Sequence, residues 1–181
     1  MRIESLTARS MKANESAWER WLVLTNQWLL AALLATMSVL VMGNVLSRYL
    51  FAHSFTWVEE ITRFMMIWSA FLGSGLALRV GGHIAIDTLA QSLPPGMARW
   101  VRSAIVALIA ASLLAMLWLG VQYVDFAWEQ ETPVLAWSYG KVYMAMPVGA
   151  LLMLLHLALI ARAWVRTGEW EKVDGFDPQA L

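Results

Sequence analysis

Long apolar runs alternate with short polar stretches along this 181-residue chain. Four of the runs are long enough to cross the hydrocarbon core of a bilayer, which takes about 20 residues at helical rise. They lie at residues 21–46, 57–78, 101–124 and 143–165. The pattern predicts an all-α membrane protein in which four transmembrane helices form one domain over residues 21–165.

Three shorter segments lie outside these runs. Residues 1–20 are polar around Trp18, which is typical of a segment that enters the membrane interface. The stretch "HIAIDTLAQSLPP" at 83–95 is too short to span, and its spaced Ile and Leu residues predict a short interfacial helix. Residues 166–181 are predicted to form a short cytoplasmic tail. The first apolar run exceeds the roughly 7 to 15 residues of a signal-peptide core, so it is expected to remain as a span.

The basic residues predict the orientation of the helices. Short loops rich in Lys and Arg stay on the cytoplasmic side. Ten of the 13 basic residues lie before the first run, from the end of the second run to the first turn of the third, or from the last turn of the fourth run onward. The opposite side keeps Arg48, Arg63 and Lys141. Both termini and the loop with the interfacial helix are therefore predicted to be cytoplasmic.

Composition narrows the range of functions. Hydrophobic residues make up 60% of the chain and charged residues 14%, whereas soluble domains are about a quarter charged. A net charge of zero gives no indication of a nucleic-acid partner. The chain has no cysteine, which excludes disulfides and thiolate metal sites. No catalytic residue, metal site or cofactor is predicted. Because acidic residues lie only at the ends of the spans, no substrate path through this chain alone is expected.

A polar cluster is predicted where the first two helices meet. Glu59 and Glu60 fall in the first turn of the second helix, where the helix dipole favours carboxylates. Arg63 is close enough along the helix to pair with either, and Arg48 lies one short loop away. Neighbouring helical residues point about 100° apart, so one Glu is expected to face another helix or another subunit. The alternative is a set of interfacial charges that only anchors the helices.

Four stretches carry a family resemblance: "NVLSRYLF" at 44–51, "WVEEITRF" at 57–64, "FLGSGLALRVGGHIAIDTL" at 71–89 and "MPVGALLMLL" at 146–155. In this order they resemble the small membrane subunit of the tripartite ATP-independent periplasmic (TRAP) transporters, over about residues 21–161. With Arg63 added, the matching positions are expected to be structural or subunit-facing. They are Arg48, Trp57, Glu59, Glu60, Arg63, Gly73, Arg79, Gly82 and His83.

The resemblance implies a non-catalytic subunit of a secondary uptake system in the bacterial inner membrane. In that family a larger membrane subunit carries the substrate and couples it to an ion gradient, commonly sodium. A periplasmic binding protein delivers the substrate, often an organic acid. The small subunit braces the large one and helps to present a docking surface. The expected partners are therefore the large subunit, the binding protein and membrane lipids.

Two other functions stay open at this point. One is a haem-bearing membrane anchor of an oxidoreductase, with His156 as a ligand, although a bis-histidine haem would need a second histidine on a facing helix. The other is a small self-sufficient transporter or channel that works as an oligomer.

The predicted orientation can be tested with a reporter that is active only outside the cytoplasm. A fusion after Glu131 should be active and a fusion after Gly82 should be silent, because the two sites are expected on opposite faces of the membrane. The reverse result would overturn the topology.

Overall fold

A computed structural model describes residues 17–79 and 94–167 of the chain. It consists of helices α1 (Ala17–Phe51), α2 (Thr56–Arg79), α3 (Pro95–Phe126), α4 (Tyr139–Tyr143) and α5 (Ala145–Thr167). Helices α1, α2 and α3, and α4 with α5, give four helical segments long and apolar enough to cross a membrane. The predicted fold class, an all-α protein with four such segments, is confirmed.

Several sequence predictions fall outside the described residues. They are the interfacial helix at 83–95, apart from its last two prolines, and the greater part of both the N-terminal segment and the cytoplasmic tail. Helix α3 begins with proline: Pro94 is its N-cap residue and Pro95 its first residue. Proline suits this position because its fixed φ is helical and its missing N–H needs no partner in the first turn.

Successive long helices run in opposite directions, so α2 and α5 are parallel to each other, and the bundle has two ends. The hairpin end holds residues 52–55 between α1 and α2 and the 127–138 loop between α3 and α4. The terminal end holds the start of α1, the end of α2, the start of α3 and the end of α5. At the hairpin end the backbone N–H of Phe55 donates to Asn44 Oδ1 at 2.8 Å, which closes the turn between α1 and α2. Ala52 has a φ of 51° and reverses the chain there.

The long helices form an open row in the order α1, α2, α5, α3. Helix α1 packs on α2, α2 packs on α5, and α5 packs on α3. In the most apolar stretch of each segment, 28% of the residues are buried in α2 and in the α4–α5 unit, against 6% in α1 and 11% in α3. The two edge helices therefore leave wide apolar surfaces for lipid or for another membrane protein.

Glycine allows the two inner helices to approach closely. A Cβ added to Gly149 of α5 would lie 2.6 Å from Phe71 Cβ, and one added to Gly75 of α2 would lie 2.7 Å from His156 Cδ2. A Cβ on Gly73 would meet Leu30 of α1 at 3.5 Å, an ordinary contact. Small residues at helix interfaces matter in lipid because packing, and not the hydrophobic effect, holds the helices together. The tight approach thus depends on Gly75 and Gly149 more than on Gly73.

Candidate functional site

The hairpin end joins two of the predicted site residues in an exposed ion pair. Arg48 in the last turn of α1 places Nη2 3.4 Å from Oε1 of Glu59 in the first turn of α2. The same Nη2 donates to Ser54 Oγ at 3.3 Å. The two side chains are 56% and 58% exposed, and such pairs contribute about 0–1 kcal/mol. Both charges therefore stay accessible to a partner while adding little to the stability of the hairpin.

Glu60 points away from its neighbour and is 7% exposed. Its Oε2 accepts from the backbone N–H groups of Val134 at 3.0 Å and Leu135 at 3.1 Å. Hydrogen bonds to a charged group contribute about 1.5–3 kcal/mol each, so this carboxylate ties the 127–138 loop to α2. The adjacent glutamates diverge as helical geometry requires. Glu60 faces its own chain, which leaves Glu59 as the carboxylate available to another subunit.

The 127–138 loop is closed by its own hydrogen bonds. Thr132 is buried, its N–H donates to the Trp137 carbonyl at 2.8 Å, and its Oγ1 accepts from Trp137 N–H at 3.1 Å. Ser138 Oγ donates to the Trp128 carbonyl at 2.6 Å. Trp128, Trp137 and Val134 remain exposed. The loop thus has a defined shape that presents aromatic and apolar side chains at the hairpin end.

Sequence reasoning did not identify this loop as a partner of Glu60. The local signal, Thr132 followed by proline, indicates only a turn. The residues that Glu60 binds lie 74 and 75 positions further along the chain. The spacing of residues within one helix therefore cannot predict the contact between Glu60 and this loop.

The other predicted residues of the polar cluster stay apart from these contacts. Arg63 is exposed on α2, and within residues 17–79 and 94–167 it forms no ion pair with Glu59 or Glu60. Trp57 is 41% exposed and packs at a tilt against Phe55, with ring centroids 6.2 Å apart. The structure therefore brings Arg48 and Glu59 together and leaves Arg63 facing outward. Gly82 and His83 lie outside the described residues.

Arg79 belongs to a second group, which we call the buried polar cluster: Glu19 and Asn26 of α1, Arg79 of α2 and His156 of α5. Arg79 Nη2 donates to Glu19 Oε1 at 2.6 Å, and Arg79 Nη1 lies 3.4 Å from His156 Nδ1. Asn26 Nδ2 donates to the Leu72 carbonyl at 3.1 Å and lies 3.5 Å from His156 Nε2. The cluster thus joins three helices through polar contacts.

The imidazole of His156 is the centre of this cluster. It is 0% exposed and sits halfway along α5, against Gly75 of α2. Its two ring nitrogens contact different helices: Nδ1 lies 3.4 Å from Arg79 Nη1 of α2, and Nε2 lies 3.5 Å from Asn26 Nδ2 of α1. A Cβ added to Gly75 would clash with this ring.

These contacts leave the haem alternative without support. Both ring nitrogens of His156 already face polar groups of the chain, Arg79 and Asn26. His53 lies at the hairpin end, in the short turn between α1 and α2, whereas His156 lies halfway along α5. The described residues therefore do not place a second histidine opposite His156.

Most of the chain matches one family of membrane proteins. Residues 37–167 match the family described as tripartite ATP-independent periplasmic transporters, DctQ component. The chain belongs to this family. The matched range contains the Arg48–Glu59 pair, Glu60 with its loop, Arg79 and His156. This DctQ-family chain is thus a multi-pass membrane protein and a transporter subunit, which is not an enzyme.

Similar proteins of named function agree with the family. The C4-dicarboxylate TRAP transporter small permease protein DctQ of Vibrio cholerae is 28% identical over 180 residues, 96% of this chain and 72% of the relative. A putative TRAP transporter small permease protein of Haemophilus influenzae is 44% identical over 64 residues, 35% of this chain and 40% of the relative. The sialic acid TRAP transporter permease protein SiaT of Haemophilus influenzae is 22% identical over 143 residues, 79% of this chain but 23% of the relative.

Replacing Glu60 with alanine should release the 127–138 loop, because Val134 and Leu135 lose their shared acceptor. Amide hydrogen exchange at these two residues should become about 10- to 100-fold faster, as expected for the loss of about 1.5–3 kcal/mol. The matched control is Glu59→Ala, an exposed neighbour, which should leave both amides protected. Equal exchange in the two variants would contradict the role of Glu60.

Replacing Arg79 with methionine should destabilise the subunit strongly, because the Glu19 carboxylate loses its buried counterion. Removing one partner of a buried pair typically costs about 3–5 kcal/mol. Thermal unfolding in detergent micelles, followed by tryptophan fluorescence, should show a clearly lower Tm. Adding Glu19→Gln should restore part of the loss.

The control for this experiment is Arg48→Met, which breaks the exposed pair and should change Tm little. If Arg79→Met and Arg48→Met unfold at the same temperature, the buried polar cluster does not stabilise the fold.

Proposed function

We propose that this chain is the small permease subunit of a TRAP secondary transporter. It braces a larger membrane subunit that carries the substrate, and it helps to dock a periplasmic substrate-binding protein. The transported compound is an organic acid, and an ion gradient, with sodium as the ion that the resemblance implies, drives its uptake. The chain resides in the bacterial inner membrane.

The open row of helices is the observation that carries this proposal. Helices α1 and α3 flank the inner pair and bury few of their apolar residues. The most deeply buried polar side chain, His156, is held by contacts within the chain. Such an arrangement suits a subunit that supports another membrane protein better than one that forms a path of its own.

The length of one relative supports a large partner. In SiaT, a permease by name, the part that matches this chain is 23% of the protein. The other three quarters are joined to it in one polypeptide. We infer that this chain meets an equivalent larger membrane subunit as a separate protein.

The charges support an orientation with the hairpin end in the periplasm. Arg99, Arg102 and Arg166 lie at the terminal end, which the distribution of basic residues assigns to the cytoplasm. The 127–138 loop would then face the periplasm with Glu129, Glu131 and its exposed tryptophans. Because Glu60 holds this loop in a defined shape, it can serve as part of the docking surface for the binding protein.

The names of two relatives support the class of substrate. The Vibrio cholerae relative is named for C4-dicarboxylates and SiaT for sialic acid. Both names denote organic acids. We therefore propose an organic acid for the transporter in which this chain takes part.

Purification with the large subunit and uptake measurements test the proposal. An affinity-tagged chain should recover the large permease subunit from membranes, and deletion of the chain should abolish uptake of the organic acid. Glu59→Lys should reduce recovery of the large subunit several-fold while leaving membrane insertion intact, because it reverses an exposed charge. Glu60→Ala should retain the large subunit but lower uptake, because it releases the 127–138 loop.

A subunit that is stable alone, combined with uptake that survives its deletion, would reject the proposed function. Unchanged recovery and uptake in both glutamate variants would instead reduce Glu59 to an anchoring charge, with the scaffold role intact.

A further inference from the structure

An open groove of about 530 Å³ runs between α1 and α2 towards the hairpin end. Met37, Met42 and Met66 line its apolar part, and Glu59 and Arg63 lie at its polar part. Methionine side chains are flexible and polarizable, which lets a surface fit an irregular partner. The groove is thus an adaptable apolar surface with one charged region.

Among residues 17–79 and 94–167, Arg63 at this groove has no counterion. Of the two nearby carboxylates, Glu59 is paired with Arg48 and Glu60 binds the 127–138 loop. Arg63 lies seven residues after the first residue of α2, about 10 Å along the helix axis. Helix α2 is apolar enough to cross a membrane, and a charge within such a span is costly unless it is paired or reaches the interface. A hydrogen-bond acceptor on another molecule would satisfy this guanidinium.

The opposite edge of the row differs in this respect. The long exposed face of α3 includes Leu108, Leu114 and Trp118, and no charged residue occurs between Arg102 and Asp125. Lipid tails satisfy such a surface. Of the two edges of the row, only the α1–α2 edge thus carries an exposed charge within its described span.

We propose that the α1–α2 groove receives a transmembrane helix of the large permease subunit, and that a carboxylate or amide oxygen of that helix accepts hydrogen bonds from the Arg63 guanidinium. The inference rests on the proposed function and assigns it a contact face. A protein helix is favoured over a lipid as the occupant because SiaT joins the matching segment to a much longer polypeptide. A guanidinium makes paired, charge-assisted hydrogen bonds to a carboxylate, so lysine would replace it poorly.

The absence of cysteine from the chain allows a direct test. Met42→Cys places a thiol in the groove, and Leu108→Cys, at a residue 69% exposed on α3, is the matched control. Each is labelled with a thiol-reactive photocrosslinker in membranes that contain the whole transporter. Met42→Cys should crosslink to the large subunit at least tenfold more than Leu108→Cys.

Three results would overturn the proposal while leaving the proposed function in place. They are crosslinking mainly from Leu108→Cys, only lipid adducts from Met42→Cys, or no adduct from the groove although the two subunits co-purify. Failure of the subunits to co-purify at all would reject the proposed function as well.

Variants of Arg63 test the pairing itself. Arg63→Met should lower recovery of the large subunit about tenfold, and Arg63→Lys should give an intermediate loss. The control Arg166→Met removes an exposed charge from the last turn of α5 and should assemble normally. The isolated Arg63→Met subunit should unfold at the wild-type Tm, since the side chain makes no ion pair within the described chain. Full assembly of Arg63→Met would overturn the pairing.

Discussion

Polar groups inside a bilayer need partners from the protein, and this constraint shapes the whole molecule. Water is absent from the hydrocarbon core, so an unpaired donor or acceptor there costs several kcal/mol. The buried polar cluster meets part of this requirement: Arg79 binds Glu19 and contacts His156, and His156 in turn lies beside Asn26. Because its members come from α1, α2 and α5, satisfying them fixes how these three helices sit together. Apolar packing alone would permit many rotations, since lipid tails are as apolar as leucine.

Close packing and the polar contacts depend on each other. His156 reaches its partners only because Gly75 leaves room for the ring, and α2 approaches α5 only because Gly149 leaves room for Phe71. A larger side chain at either glycine would clash with the facing helix and force the two helices apart. The hydrogen bonds of the cluster would then exceed their useful range. The inner pair of helices is thus held by small residues and polar contacts together.

The hairpin end uses the same chemistry for a different purpose. The Glu60 carboxylate accepts two hydrogen bonds from the 127–138 loop and so gives this loop a defined shape. The surface of the hairpin end carries the charged groups of Arg48, Glu59 and Arg63, which add little to the stability of the fold. Two adjacent residues of one helix turn thus have different roles: Glu60 stabilises the fold, and Glu59 is available to a partner. A scaffold subunit benefits from this division because its contact surface can change without loss of the fold.

Local properties of the sequence were enough to predict the four apolar segments, the all-α fold class and the family. Helical length and hydropathy are read along a single stretch of chain, and the matching stretches at 44–51, 57–64, 71–89 and 146–155 each lie within a short range. The polar contacts were decided by tertiary structure. Glu60 and Glu59 have the same chemistry and neighbouring positions, and only the packing of α2 beside the 127–138 loop gives them different partners. Arg79 meets Glu19 across 60 residues and His156 across 77. Such pairs follow from the order of helices in the row, which depends on which small residues allow close approach, and no periodicity within one helix encodes that order.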